Sequence, residues 1–172
     1  VGVTDDDDFR TFVVTRQGSL RRLARLLVND PRDADDLVQS TFLQMYLKWR
    51  RVRAREAVDA YAQTVLIRLA NRARRRHWNR EVPTEEMAMP ALADRDAFDE
   101  YDVGSVVRLA VGALPWDQRA VLVCRYYLQL SEAEIAAVLA CPVGTVKSRA
   151  NRALATLRAS GLLEGVRESD DV

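Results

Sequence analysis

The chain has 172 residues, of which 48% are hydrophobic and 30% charged. That mix supplies a core, which excludes a disordered chain, and it contains no run approaching the ~18 apolar residues of a membrane span. Net charge is +1 and identifies no partner, but the charges are unevenly placed: residues 68–80 and 144–158 are basic, and residues 81–102 between them are acidic.

Glycine and proline are scarce, at 7 and 5, and long Ala-, Leu- and Arg-rich runs favour helix. No strand pattern or internal repeat emerges. The N-terminus carries Asp5 to Asp8 rather than a basic and then apolar run, so no secretory leader is expected. A first helix is predicted over 9–28, with Phe9, Phe12, Val13, Leu20, Leu23, Leu26 and Leu27 apolar and Gly18 weakening its middle. Asn29-Asp30-Pro31 breaks the chain and caps a second helix, because proline is tolerated in a first turn. Asp33, Asp35 and Asp36 follow where carboxylates suit the helix dipole. This helix is predicted to reach about Arg50, with a core stripe of Val38, Phe42, Met45 and Trp49.

A third helix is predicted over 57–78, with Tyr61, Val65, Leu66 and Leu69 apolar. It ends in Arg68, Arg72, Arg74, Arg75, Arg76 and, just beyond, Arg80, with no acid among them. Six arginines in thirteen residues fit phosphate neutralisation; the plainer alternative is a solvated helix end. Residues 81–102 hold Pro83, Pro90 and eight acids against Arg95 alone, and read as a linker.

The second half begins near Val103. Val106, Leu109, Ala110 and Ala113 share a helical face that stops at Leu114-Pro115, and a helix over 116–128 follows with Val121, Leu122, Cys124 and Tyr127 apolar. Ser131-Glu132-Ala133-Glu134 is a capping box: serine caps a first-turn amide and glutamate reaches back three residues. The short helix 132–139, the turn Ala140-Cys141-Pro142 and a longer helix with Val146, Ala150, Ala153 and Leu157 on one face form a helix-turn-helix pattern. Lys147, Ser148, Asn151 and Arg152 fall on the other side of that helix, where arginine and lysine suit guanine and asparagine suits adenine. Gly144 and Thr145 open it, and their amides are candidates for a backbone phosphate. On spacing alone, a solvated basic face on an ordinary helical hairpin fits equally well.

Nothing points to catalysis. The lone His77 sits among arginines, and no Gly-rich phosphate loop or nucleophile motif is present, so no catalytic residue, metal or cofactor is expected. Cys124 and Cys141 lack CxxC spacing and read as reduced thiols.

The segment Leu130–Leu139 followed by Pro142-Val143-Gly144-Thr145-Val146-Lys147-Ser148-Arg149 and Arg152-Ala153 resembles the promoter-reading domain of extracytoplasmic-function (ECF) sigma factors. The resemblance implies that Gly144, Thr145, Lys147, Ser148, Arg149, Asn151 and Arg152 meet the −35 element. Response regulators share parts of this string, but Asp33-Ala34-Asp35-Asp36-Leu37-Val38-Gln39-Ser40-Thr41-Phe42 is similar to the family's polymerase-docking signature. That implies Asp35, Asp36 and Gln39 face core polymerase; helix capping is a second use for the acids.

Ala60-Tyr61 through Trp78, then Glu81-Val82-Pro83, is most similar to the actinobacterial SigE-like subgroup. The resemblance implies that Arg68, Asn71, Arg72, Arg75, Arg76, Trp78 and Arg80 engage the −10 element. Many relatives carry tryptophan in the middle of this helix, where this chain has Thr64 or a neighbour, so the residue that captures an unpaired base stays open.

The expectation is an all-α protein of two small helical domains. Residues 1–80 would dock on polymerase and engage the −10 element, 81–104 form an acidic linker, 105–163 carry the −35 helix-turn-helix and 164–172 form a tail. The implied partners are the clamp coiled coil and flap of bacterial core RNA polymerase, promoter DNA and an anti-sigma factor. A cytoplasmic location without membrane insertion follows. The competing readings are a stand-alone helix-turn-helix regulator and, more remotely, an enzyme or RNA-binding helical protein.

Overall fold

The computed structural model describes residues 5–54, 57–78 and 103–161. The chain divides into two units, Val1–Pro83 and Thr84–Val172. Every regular element among the described residues is helical. The expected tail 164–172 lies outside the described residues, as does the predicted linker apart from its last two positions. Those two belong to a helix that starts at Val103.

In the first unit, α1 (Asp5–Leu27), α2 (Pro31–Tyr46) and α4 (Val58–Trp78) pack on one another, with the short α3 (Trp49–Val52) between the last two. Helix α1 starts four residues earlier than predicted, because Asp5 to Asp8 occupy its first turn, where carboxylates meet the positive end of the dipole. Gly18 does not interrupt it. Asp30 caps α2 as expected: its side chain accepts from the Arg32 amide at 2.8 Å and Pro31 takes the first helical position. Leu20, Leu23, Leu27, Leu37, Val38, Met45, Val52, Leu66 and Ile67 form the buried core, joined by Ala24, Ala34, Ala62 and Ala70 where small side chains let the helices approach.

The second helix does not run to Arg50. It ends at Tyr46, Leu47 and Lys48 form a turn, and α3 begins at Trp49. Trp49 is buried just beyond the break: its ring lies 5.0 Å from Phe9 and 5.1 Å from Phe12, inside an aromatic cluster that also takes in Phe42 and Tyr46.

The second unit comprises α5 (Val103–Gly112), α6 (Trp116–Leu122), α7 (Glu132–Leu139) and α8 (Val143–Ala159). The predicted helix over 116–128 stops being α-helical at Leu122 and continues as one π turn, Val123–Tyr127. The wider turn keeps Cys124 buried and rotates Tyr126 and Tyr127 outward, so Tyr127 is not a core residue. Ala110, Leu114, Leu122, Ala153 and Leu157 close the core of α5, α6 and α8. Arg119 is buried beneath them and donates to the carbonyl of Gly112, which ends α5, and to that of Leu114 in the turn that follows. Burial lowers the Arg119 pKa below its ordinary value.

Candidate nucleic-acid interface

The helix-turn-helix is built from α7 and α8. Ser131 caps α7: its hydroxyl accepts from the Glu134 amide at 3.3 Å, and the Glu134 carboxylate accepts from the Ser131 amide at 2.8 Å. The Ser131 hydroxyl also donates to the Glu134 carboxylate at 2.6 Å, and this bond first and the amide bond second hold the Glu134 carboxyl below its usual range. The helix ends on Ala140, which adopts the left-handed conformation at φ 52 and ψ 53 and turns the chain toward Pro142. Ile135, Ala136, Val138 and Leu139 of α7 and Val146, Ala150, Ala153 and Leu157 of α8 are buried, so α8 packs through its predicted apolar face against α7.

The opposite face of α8 is the candidate reading surface. Lys147, Asn151 and Arg152 are exposed and Ser148 is half-buried, its hydroxyl donating to the Thr145 carbonyl at 3.0 Å. Lys147 also lies 3.6 Å from Glu132, with its side chain 61% exposed. Gly144 is exposed, and a Cβ added there would meet nothing within 4 Å. The Thr145 amide departs from expectation. It donates to the Pro142 carbonyl at 3.0 Å and is therefore already used. Arg149 is placed differently from its neighbours: its guanidinium reaches across to Asp117 of α6 at 3.0 Å and is only 24% exposed.

On α4, Arg68, Arg72, Arg75 and Arg76 are exposed and Asn71 half-buried, while Ala62, Leu66, Ile67 and Ala70 point into the core. One helix therefore carries a packed face and an arginine face. Trp78 closes α4; Arg80 lies outside the described residues. On α2, Asp36 and Gln39 are exposed. Asp35 is half-exposed and bound to Arg21 at 2.7 Å. One turn beyond Gln39, Leu43 is 58% exposed, and Leu47 beyond it 69%. Sequence reasoning missed Leu43 and Leu47, although leucine at a polar position of an amphipathic helix was the available signal. Cys124 and Cys141 are free thiols, and burial pushes the Cys124 pKa up to about 12.

Two helical units, the second presenting a basic helix-turn-helix, define an all-helical protein of the helix-turn-helix class. Comparison with known proteins refines this. Residues 6–80 match the family described as Sigma-70 region 2, and residues 105–157 match Sigma-70, region 4. The chain is 38% identical over 151 residues to the RNA polymerase sigma-E factor of Streptomyces coelicolor, covering 88% of this chain and 84% of that protein. It is 30% identical to the ECF RNA polymerase sigma factor EcfG of Rhodopseudomonas palustris over 169 residues, 94% of this chain and 90% of that one. Among solved structures it is similar to the sigma factor RpoE of Bartonella quintana in complex with the anti-sigma factor NepR. That match has TM-score 0.64 and 26% identity and covers 91% of this chain and 97% of the other. The chain belongs to the sigma-70 family, in its extracytoplasmic-function group.

Proposed function

We propose that this chain binds core RNA polymerase and directs promoter-specific transcription initiation, and that it catalyses nothing itself. The single observation that carries the reading is the joint presence, in one chain and in this order, of a region 2 match and a region 4 match whose α8 presents Lys147, Asn151 and Arg152 to solvent. A stand-alone helix-turn-helix regulator needs a sensing or dimerisation domain. The first half of this chain is instead the polymerase-docking region of the family.

Residues 1–80 form the docking and −10-engaging domain, 81–104 the linker and 105–163 the −35-reading domain. Asp35, Asp36 and Gln39 face the clamp coiled coil, and the exposed Leu43 extends that face with an apolar contact. Arg68, Asn71, Arg72, Arg75, Arg76, Trp78 and Arg80 engage the −10 element, chiefly through phosphates. Gly144, Thr145, Lys147, Ser148, Asn151 and Arg152 meet the −35 element, with Arg149 holding their helix in place. The flap is the region 4 contact on polymerase. An anti-sigma factor that covers the exposed apolar and basic surfaces is the expected regulator, as a sigma factor of this fold is captured with one. The location is cytoplasmic, and among the described residues no helix is long and apolar enough to cross a membrane.

The test is association with purified bacterial core polymerase by gel filtration. The wild-type chain co-elutes. The triple variant Asp35→Ala, Asp36→Ala, Gln39→Ala, with unchanged circular dichroism, elutes alone. Equal co-elution of both would remove the docking assignment, and no association of the wild type would remove the function.

A further inference from the structure

One carboxylate that the assignments above leave unused joins the π turn, α7 and α8. Glu132, the first residue of α7, gives one oxygen to each of two cations. Its Oε1 lies 3.3 Å from Arg125 Nη1 in the π turn, and its Oε2 lies 3.6 Å from Lys147 Nζ on α8. The Arg125 guanidinium also stands 5.9 Å from the centre of the Tyr126 ring, so it is held from two sides. The Glu132 side chain is 32% exposed, and those of Arg125 and Lys147 are 40% and 61%. A molecule docked on α8 therefore reaches both cations while the carboxylate holds them. The cap of α7 does not depend on this acid, because Ser131 and Glu134 complete it.

We propose that Glu132 is a specificity-determining residue of the −35 interface that acts through Lys147, directing the ammonium toward a base edge and withholding it from backbone phosphates. It is a positioning residue and reads no base itself. In a helix-turn-helix the first helix crosses the DNA backbone and the second enters the major groove. A carboxylate at the start of the first helix therefore meets phosphates, and like charges there weaken binding to any sequence. Such an acid lowers overall affinity. What it adds is discrimination, which is a difference between two affinities and is improved by a repulsive element as well as by an attractive one. Lysine is the side chain on which this works. Its ammonium is a point charge on a flexible stem and pairs with a phosphate as readily as with guanine O6 and N7. A weak exposed pair is enough to bias that choice. Lys147 has three donors, so it keeps Glu132 while giving another to a base acceptor. Arg125, anchored on Tyr126, fixes the carboxylate from the far side, so the bias falls on Lys147.

This inference rests on the sigma-factor reading, and its test separates the two. Holoenzyme assembled from core polymerase and the full chain is titrated onto a promoter fragment that it transcribes, and onto the same fragment with its −35 element scrambled, over a range of salt concentrations. Glu132→Gln keeps the size of the side chain and removes its charge. It is expected to bind the scrambled fragment about three- to fivefold tighter, the worth of a released exposed pair, and the intact one no more than about twofold tighter, so that discrimination falls. The salt dependence on the scrambled fragment is expected to steepen by about one unit of slope, for one further phosphate neutralised. In a Lys147→Ala background, Glu132→Gln is expected to move both fragments by the same factor. Thermal melts check that every variant folds. An equal gain on both fragments with Lys147 present is what simple loss of a negative charge gives, and it overturns the proposal. A fall in discrimination that persists without Lys147 overturns it too. A wild-type chain that never joins core polymerase overturns the sigma-factor reading and this proposal with it.

Discussion

Replacing Arg149 with alanine separates a reading residue from a positioning one. Arg149 belongs to the Gly144–Arg149 string that resembles the promoter helix, yet its guanidinium is tied to Asp117 of α6 at 3.0 Å, with side-chain exposures of 24% and 32%. Fully exposed pairs contribute up to about 1 kcal/mol, and breaking a buried pair costs about 3–5 kcal/mol. A pair of intermediate burial is therefore expected to be worth about 1–2 kcal/mol. In a domain of this size each kcal/mol moves the melting temperature by about 4–8 °C. Arg149→Ala and Asp117→Ala should each lower the second domain's transition by about 5–10 °C in calorimetry of the full chain, and the double variant should fall well short of the sum. Lys147→Ala, at an exposed position, should move that transition by no more than about 3 °C while weakening promoter binding by holoenzyme. The reasoning is refuted if Arg149→Ala melts with the wild type and loses promoter affinity as Lys147→Ala does.

Ala140 sits at φ 52, where a Cβ is strained, so Ala140→Gly should stabilise the second domain by about 0.5–1 kcal/mol after the extra unfolded-state freedom of glycine is counted; a lower melting temperature would contradict this. Gly144→Ala adds a methyl to open space and favours helix, so thermal stability should hold or rise while promoter affinity falls, because DNA backbone approaches there; unchanged affinity would remove Gly144 from the interface. The Glu134 carboxyl is held below its ordinary value by the Ser131 hydroxyl and then the Ser131 amide. Its contribution to stability is therefore present above the unfolded-state pKa and lost as pH falls through the folded value. Denaturant melts should show Ser131→Ala flattening this acid-limb dependence, and an unaltered slope would contradict it.

Local chemistry made much of this molecule legible. The Asp30 cap, the Ser131–Glu134 box and the α8 stripe were readable because each depends on residues within a few positions of one another. Elements set by distant partners were not. Nothing local marks the break before Trp49, whose ring packs against Phe9 and Phe12 about 40 residues away in sequence, and nothing local marks the π turn after Leu122. Ala62 and Ala70 lie in the core but carry too little hydrophobic signal to stand out beside arginines. At the candidate site, residue type identified the exposed face of α8, but the pairing of Arg149 with Asp117 spans 32 residues and appears only when α6 and α8 meet. The acids proposed to dock on polymerase were visible as a motif, whereas the exposed Leu43 beside them emerged only from its burial.

Run-off transcription tests the central claim most directly. Core polymerase, the purified chain and a library of promoter fragments are incubated with nucleotides, and the transcripts are sequenced. The account predicts transcripts whose templates share a two-part upstream motif, absent without the chain and lost with the Asp35→Ala, Asp36→Ala, Gln39→Ala variant. Transcription no greater than with core alone, together with tight specific DNA binding by the chain without polymerase, would contradict it and establish a stand-alone regulator.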